Sequence, residues 1–419
     1  MSGGRGGYRS FERSVRLLMV NQFTINLGFY MLMPYLAQHL SGTLGLAGWT
    51  VGLVLGVRNL SQQGMFLAGG ALADRFGYKP LIVAGLALRT VGFAVLGLVD
   101  SVPALLAASA ATGLAGALFN PAVRAYVAAD AGERRVEAFA LFNVFYQAGI
   151  LLGPLAGLAL TWLDFRLTCL AAAAVFAVLS AVQVRSLPHR PAERGGGEPV
   201  RWRGLLGNRR FLLFALAMTG SYVLSFQVYL ALPLEVRRIG GEAAAPAVAA
   251  LFVVSGLATV LGQTRLTAWC RRTWPPGRSL TAGLLAMAAA FLPLAAAAAV
   301  PPPGPGPARL ALALGPPVLA AALLTLGTML AYPFEMDTVV SLAEGRLVAT
   351  HYGLYNTVCG IGITLGNLAV GAALDLAPAA TWLGLTVLGL AAAAGLAALH
   401  RSGRLAPAAP ARRAGATVG

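Results

Sequence analysis

Charged side chains are scarce in this chain. Lysine, arginine, aspartate and glutamate make up 11% of the 419 residues, while 58% are hydrophobic. A soluble chain carries roughly 25% charged residues, and one of this length needs far more polar surface to remain in water. The shortage excludes both a soluble globular domain and a disordered chain. With a mean hydropathy of +0.73, the chain is predicted to be an integral membrane protein.

Cysteine and lysine are rarer still. The three cysteines, Cys169, Cys270 and Cys359, lie in or at the end of apolar runs, so neither a disulfide framework nor a metal site is indicated. Lys79 is the single lysine, so the net charge of +16 comes almost entirely from arginine, placed in short patches between apolar runs. No basic stripe interleaved with aromatic residues is present, which excludes a nucleic-acid partner.

Twelve apolar runs are long enough to cross a bilayer, which takes about 17–25 residues each. They are apolar all round, as expected of helices embedded in lipid rather than of amphipathic surface helices. The first has no small-x-small cleavage site after it, so it is interpreted as a retained span and not as a signal peptide. The predicted spans are 17–37, 49–70, 80–99, 102–124, 137–162, 166–185, 210–232, 246–268, 279–300, 310–332, 348–374 and 380–400.

Basic residues flank these spans unequally. Twenty-four lie on the side of the chain termini, four on the opposite side and three within spans. Because cytoplasmic loops carry the excess of basic residues, both termini are predicted to be cytoplasmic, in a multi-pass protein of the cell inner (plasma) membrane. Trp49, Trp162 and Trp382 fall at the outer ends of spans, as expected of an interfacial aromatic belt.

The longest polar interruption divides six spans from six. It predicts an N-terminal half at 1–185, a Gly-, Pro- and Arg-rich cytoplasmic linker at 186–209, a C-terminal half at 210–400 and a tail at 401–419. A shift of 213 residues aligns 139–156 with 352–369, with 8 identities in 18 positions. Two parallel repeats of six spans are typical of a secondary transporter with its site between the halves.

The first loop on the side of the termini reads Gly70-Ala-Leu-Ala-Asp74-Arg75-Phe-Gly77-Tyr-Lys79-Pro80. It resembles the signature of the major facilitator superfamily, except that Pro80 replaces a basic residue. Basic residues here would obey the positive-inside rule in any case, but that rule does not account for the acid or the two glycines. The resemblance implies that Asp74 docks on the N-terminal end of the eleventh span, near Thr350 and His351, when the cytoplasmic side is closed.

A second motif lies in the fifth span, where Gly149, Gly153, Pro154 and Gly157 form Gly-x-x-x-Gly-Pro-x-x-Gly. It resembles the antiporter motif of the same superfamily, with Leu158 in place of the last glycine. In the family the motif accompanies export. Small residues four apart also allow helices to approach closely, so a plain packing role is an equal alternative.

The wider match is to the drug:proton antiporter branch, and within it to the multidrug-resistance MdtH group. It is carried by Leu55–Gly64, the loop above and Asp164–Leu167. The resemblance implies two six-helix bundles, an all-α membrane fold, a monomer, and proton influx as the energy source with no cofactor. Ser109 stands where many such antiporters have a buried Arg, and the first span has no acid, so the usual proton-coupling residues of the branch are absent.

Polar residues inside spans are candidates for a substrate cavity, although helix–helix hydrogen bonding explains each one singly. The candidates are Gln22, Asn26, Tyr30, Arg58, Gln62, Asn143, Tyr146, Gln147, Tyr222, Phe226, Gln227, Tyr229 and Asn356. Arg58 is predicted to be the cationic anchor that favours neutral or acid-bearing amphiphiles. The alternative is that its guanidinium only hydrogen-bonds backbone carbonyls and neighbouring amides.

Arg124 and the pair Glu335/Asp337 end the fourth and tenth spans, which the repeat makes equivalent. They are predicted to form a cytoplasmic gate, unless each side chain merely reaches water. The sequence therefore predicts a transporter that exports amphipathic small molecules, with import of a metabolite or movement of a lipid as alternatives. A membrane enzyme or a receptor is disfavoured, because no metal cluster, activated nucleophile or phosphate-binding loop is present.

Overall fold

The computed structural model describes residues 7–161, 164–189, 202–241, 244–299, 307–374 and 376–405. Trp162, half of the expected linker (190–201) and the tail beyond 405 lie outside these residues. The described chain is helical, and it contains no strand. Its helices are α1 (Arg13–Gln38), α2 (Gly48–Phe76), α3 (Tyr78–Leu98), α4 (Val102–Ala131), α5 (Arg135–Thr161), α6 (Phe165–Ser186), α7 (Trp202–Gly207), α8 (Arg209–Ser225), α9 (Ala231–Gly240), α10 (Ala244–Thr273), α11 (Pro276–Ala289), α12 (Leu292–Ala298), α13 (Pro307–Leu342), α14 (Val348–Leu374) and α15 (Pro378–Arg401).

These helices make twelve passes. Helices α1 to α6, α10, α13, α14 and α15 each make one, while α8 with α9 and α11 with α12 form two broken passes. Over the described residues, nine stretches are long and apolar enough to span a membrane, one of them running through both α4 and α5. The more polar α1 and α2 complete the twelve. The predicted fold class, an all-α membrane protein of two six-helix bundles, is confirmed.

The two halves repeat one packing pattern. In the first, α2 packs on α4, and α3 packs on α4 and α6. In the second, α10 packs on α13, and α11 packs on α13 and α15. The halves meet along α2–α14 and α5–α10, which are equivalent contacts under the repeat. The exact boundaries at 185 and 210 stay a prediction, because 190–201 is not described.

The bundle has two faces. The terminal face is the one where α1 begins and α15 ends, and the distal face is the opposite one. Trp49 opens α2 at the distal face and is 75% exposed, as an interfacial residue should be. The expectation for Trp382 is wrong: it is fully buried, because its indole stacks on Phe291 at 6.1 Å between ring centroids.

The glycines of the antiporter-like motif form a seam between α5 and α1. A Cβ at Gly149 would lie 2.7 Å from that of Asn26, one at Gly153 would lie 2.7 Å from that of Tyr30, and one at Gly157 would collide with the backbone of Met31. Tyr35 of α1 also donates to the Pro154 carbonyl at 2.7 Å. Close helix packing therefore accounts for this spacing.

A cavity between the halves, closed at the terminal face

A cavity of about 680 Å³ lies between the two halves. Its walls come from α1, α4 and α5 on one side, and from α8, the segment 226–229 after it, α10, α11 and α13 on the other. The volume falls within the range of small-molecule sites, about 300–1,000 Å³. The repeat architecture therefore places a ligand-sized space where the sequence predicts a substrate site.

The cavity is displaced toward the distal face. Along α10, which starts at that face, the lining runs from Ala249 to Thr259 and leaves the second half of the helix out. Along α5, which starts at the terminal face, it runs from Asn143 to Leu155. Measured from the distal face, the cavity is therefore deepest at Arg124 of α4 and Glu335 of α13. Each of these residues lies seven residues before the end of its helix at the terminal face.

Polar contacts between the halves close the terminal face below this point. Arg135 of α5 donates to Asp337 of α13 at 2.6 Å, and Arg271 of α10 pairs with Glu137 of α5. These side chains are 21–36% exposed, so both pairs are half-buried. The structure is thus a conformation with its terminal face closed.

The loop motif supplies a third contact of this kind. Asp74 is buried, and its carboxylate accepts hydrogen bonds from the backbone N–H of Ala349 at 3.2 Å and of Thr350 at 2.6 Å. The Thr350 hydroxyl donates to it at 2.6 Å. A carboxylate on the first turn of a helix satisfies N–H groups that have no partner in the helix and is favoured by the helix dipole. The position expected for Asp74 is the one found here.

The other motif residues shape this junction. A Cβ at Gly70 would collide with the carbonyl of Ala349, so glycine allows α2 to reach the start of α14. Gly77 turns the chain from α2 into α3 with φ at +91°, a conformation that favours glycine. Lys79 donates to the carbonyl of Val184 on α6 at 2.8 Å, while the exposed Arg75 lies 5.3 Å from the ring of Phe76.

Aromatic side chains make up much of the cavity wall. Tyr229 stacks on Phe252 at 5.6 Å between ring centroids, and Phe226 packs beside it at 5.7 Å. Among the described lining residues, Arg124 and Glu335 are the only charged ones. Seven of the thirteen predicted cavity residues line this space: Tyr30, Asn143, Tyr146, Gln147, Tyr222, Phe226 and Tyr229.

The other six predicted cavity residues lie outside the lining. Most use their polar groups within their own half: Asn26 donates to the Gln22 carbonyl at 2.7 Å, and Gln227 donates to Asn367 at 3.1 Å. Asn356 donates to the Tyr352 carbonyl at 2.7 Å. For Asn26 and Gln227 the prediction is corrected in favour of helix packing and local hydrogen bonding, whereas Asn356 also contacts Arg124 of the other half beneath the cavity.

Arg58 is also corrected. Its guanidinium donates to Gln62 at 2.7 Å and to Asn59 at 2.8 Å, and it lies 4.3 Å from the centroid of the Phe29 ring. Neither Arg58 nor Gln62 lines the cavity. A cation held by neighbouring amides and an aromatic face does not require a ligand, so Arg58 is not the anchor of this site.

The predicted gate is only partly formed. Arg124 and Glu335 both reach the cavity floor, but no ion pair joins them in the described structure. Arg124 instead donates to Asn356 of α14 at 3.4 Å. The pairing of Arg124 with Asp337 is wrong, because Asp337 lies beyond the floor and binds Arg135.

A buried amide network supports the floor. Asn143 of α5 donates to the Gln263 side chain of α10 at 2.9 Å, and Gln263 donates to the carbonyl of Met329 on α13 at 2.9 Å. Met329 lies four residues before Pro333, which has no N–H to offer this carbonyl. Gln263 thus satisfies an acceptor that the proline leaves open, and it links the two halves.

Three residues with buried or interface contacts were not among the candidates predicted from the sequence: Gln263, Arg89 and Arg135. Gln263 is a lone amide in an apolar run, and it could have been found by the criterion that selected Asn143. Arg89 is 5% exposed and lies between the rings of Phe29 and Phe176 at 5.9 and 5.6 Å. Arg135 could not be assigned to Asp337, because nothing in the sequence indicates that α5 and α13 meet at these residues.

Comparison with known proteins decides the family. The sequence profile of the Major Facilitator Superfamily matches residues 18–367. The chain belongs to the major facilitator superfamily. It is therefore a multi-pass membrane transporter rather than an enzyme.

Relatives within the superfamily span nearly the whole chain. An uncharacterized MFS-type transporter of Mycobacterium tuberculosis (strain H37Rv) is 53% identical over 402 residues, which cover 94% of this chain and 95% of the relative. The multidrug resistance protein MdtH of Yersinia pestis (strain Pestoides F) is 30% identical over 387 residues, or 90% of this chain and 92% of that protein. The crystal structure of the human organic anion transporter MFSD10 matches with a TM-score of 0.68 and 17% identity, covering 94% of this chain and all of that one, a likeness of fold.

Proposed function

We propose that this major facilitator transporter exports amphipathic small molecules, such as drugs or secondary metabolites, in exchange for protons. The observation that carries the proposal is the cavity itself. It has aromatic walls, a volume of about 680 Å³ and, among the described residues of its lining, a single cation and a single acid, both at its floor. Sparse polar anchors on apolar walls suit ligands with a large apolar body and few polar groups. The similarity to proteins named MdtH supports the same substrate class.

Alternating access is the proposed mode of transport. The contacts that close the terminal face are ion pairs and hydrogen bonds between the halves, and water can replace such groups when the halves separate. The arginine-rich terminal side is proposed to be cytoplasmic. In that orientation the structure is the outward-facing state, with the cavity displaced toward the exterior.

Everted membrane vesicles containing the protein test this proposal. Fluorescent ethidium, an amphipathic cation, should accumulate inside them when the interior is acidified. Accumulation should stop when nigericin collapses the proton gradient, and vesicles without the protein should show none.

The two alternatives give different results in the same preparation. Ethidium accumulation that is insensitive to nigericin would overturn proton exchange. Uptake of a probe into right-side-out vesicles, driven by protons entering with it, would indicate an importer instead.

A further inference from the structure

Glu335 lies at the floor of the cavity, in the last two turns of α13. The residue is 3% exposed, yet it forms part of the lining. Tyr222 of α8 donates to its Oε1 at 2.8 Å, and Tyr355 of α14 donates to the same oxygen at 2.7 Å. Both donors come from the same half as Glu335, so the carboxyl is fixed in the C-terminal half.

The second oxygen of Glu335 is different. Among the described residues nothing donates a hydrogen bond to Oε2, and no ion pair is made with either oxygen. Glu235 provides the contrast, because it is also buried but receives two hydrogen bonds from Arg238, at 2.6 and 2.9 Å. Glu335 is thus a buried acid without a counter-ion in contact, with one oxygen open.

Within the described part of the chain, the titratable groups that face Glu335 come from four helices. They are Tyr222 of α8, Tyr355 and Cys359 of α14, Arg124 of α4 and, on its own helix, Tyr332. Arg124 is the only cation among them, and it is held by Asn356 across the interface between the halves. Asp337, the next acid on α13, is occupied by Arg135.

We propose that Oε2 of Glu335 is where the transported proton binds, an inference that rests on the proton exchange proposed above. An ionised carboxylate is unfavourable in a buried site without a paired cation. A proton from cavity water converts it to a neutral acid, while both tyrosines continue to donate to Oε1. When the terminal face opens, the proton returns to water on that side, and the carboxylate is restored.

The position of Arg124 connects this proton to the conformational change. Arg124 belongs to the first half and Glu335 to the second, so their attraction holds the halves together at the closed face. Protonation removes that attraction and shifts the equilibrium toward opening. An unloaded, unprotonated transporter therefore stays closed at the terminal face.

Infrared difference spectroscopy on the purified full-length protein in nanodiscs tests proton binding without any substrate. Between alkaline and acidic pH, the wild type should gain the C=O stretch of a buried carboxylic acid. Glu335→Gln should lose this band, while the matched control Glu235→Gln should keep it. Tyr222→Phe should keep the acid but shift the band, because the carbonyl loses one donor. A band that survives in Glu335→Gln, or one that Tyr222→Phe leaves unshifted, overturns the assignment.

Spin-label distances test the connection to opening. Labels at positions 133 and 344, exposed at the terminal face in different halves, report the separation of α4 from α13. Acid should raise the long-distance population of the wild type, and Glu335→Gln should show that population already at alkaline pH. A wild-type distribution that ignores pH, or a Glu335→Gln distribution that equals the alkaline wild type, overturns the coupling.

The two proposals can fail separately. If the infrared band belongs to Glu335 but ethidium transport does not depend on the proton gradient, proton exchange is overturned. Glu335 would then bind a proton that is not exchanged for the substrate. If transport is proton-driven but the band does not depend on Glu335, the site assignment alone is overturned.

Discussion

Asp74 and Thr350 join the two halves through a single carboxylate oxygen. The backbone N–H and the hydroxyl of Thr350 both donate to Oδ2 of Asp74, each at 2.6 Å. Asp74 ends α2 and Thr350 begins α14, so the contact exists only while these helix ends are together. It is therefore a contact specific to the state closed at the terminal face.

Asp74→Asn should reduce transport several-fold while leaving ethidium affinity within a few-fold of wild type. The variant removes a charge that is worth about 0.3–2 kcal/mol at a helix N-terminus, and it presents an amide group to donors. The affected equilibrium is the one between conformations, since Asp74 is remote from the cavity. Initial rates in vesicles and fluorescence titration of binding measure the two quantities.

Asp100→Asn is the matched control, because Asp100 pairs with Arg166 at the distal face and both side chains are more than half exposed. It should transport normally. Wild-type transport by Asp74→Asn would contradict the role assigned to the Thr350 contact.

Gly70→Ala should lower the population closed at the terminal face. The added methyl group would collide with the carbonyl of Ala349, and the backbone on both sides has little freedom to move. Gly64→Ala, six residues earlier on the same helix, adds a methyl group where no atom lies within 4 Å. Labelling of a terminal-face cysteine should therefore accelerate in Gly70→Ala only, and equal labelling of both variants would argue against the close approach.

Exchanging the charges of Arg135 and Asp337 should rescue transport. Each single change, Arg135→Asp or Asp337→Arg, places like charges where the structure has a bond of 2.6 Å, and transport should fall. The double variant restores the opposite charges across the interface. Arg124→Asp combined with Asp337→Arg should not be rescued, because these two residues are not partners. Failure of the first exchange, with both proteins folded, would show that the pair does not hold the face closed.

Arg58→Gln should change transport of cationic and carboxylate-bearing probes by the same factor, to within about twofold. The guanidinium lies against Phe29 and Gln62, outside the cavity, so it does not meet substrate. Arg124→Gln should alter the ratio between the two probes, because Arg124 lines the floor. A selective loss of the carboxylate-bearing probe in Arg58→Gln would reinstate Arg58 as the anchor.

His39, at the distal end of α1, should make stability depend on pH. Its ring stacks on Phe165 at 3.9 Å, and partial burial lowers the pKa of the imidazole, outweighing the opposite effect of the nearby Asp100 carboxylate. The unfolded chain therefore takes up a proton at a higher pH than the folded one. The contribution of His39 to the free energy of unfolding is then fully present above about pH 6.5. It is lost as the pH falls through the lowered pKa. The Tm of the wild type should decline over that pH interval, and the Tm of His39→Gln should decline less. The Tm of His189→Gln, which replaces an exposed histidine, should decline like that of the wild type.

The sequence predicted this fold because its signals are local. The lengths of the apolar runs predict the membrane passes, and the motif around Asp74 predicts the contact of this residue with the start of α14. The seven predicted residues that line the cavity lie on α1, α5, α8 and the segment just after α8, where polar positions face the other half. Arg58 and Asp337 were misassigned because the partner of each side chain depends on which helix faces it. The sequence indicates neither the contact of α2 with Phe29 nor the contact of α5 with α13. Tyr355 was missed for the same reason: its hydroxyl is directed at Glu335 by packing within the second half.

Pro333 makes the backbone of α13 depend on another helix. The Met329 carbonyl has the Gln263 amide of α10 as its partner instead of the main chain of α13, so the ladder of α13 lacks one hydrogen bond at this point. The short segment beyond Pro333 carries Glu335 and Asp337, and a helix bends at lower cost where one bond of its ladder is missing. Gln263 also accepts a hydrogen bond from Asn143 of the opposite half, so one amide side chain connects the proline break in α13 to the interface between the halves.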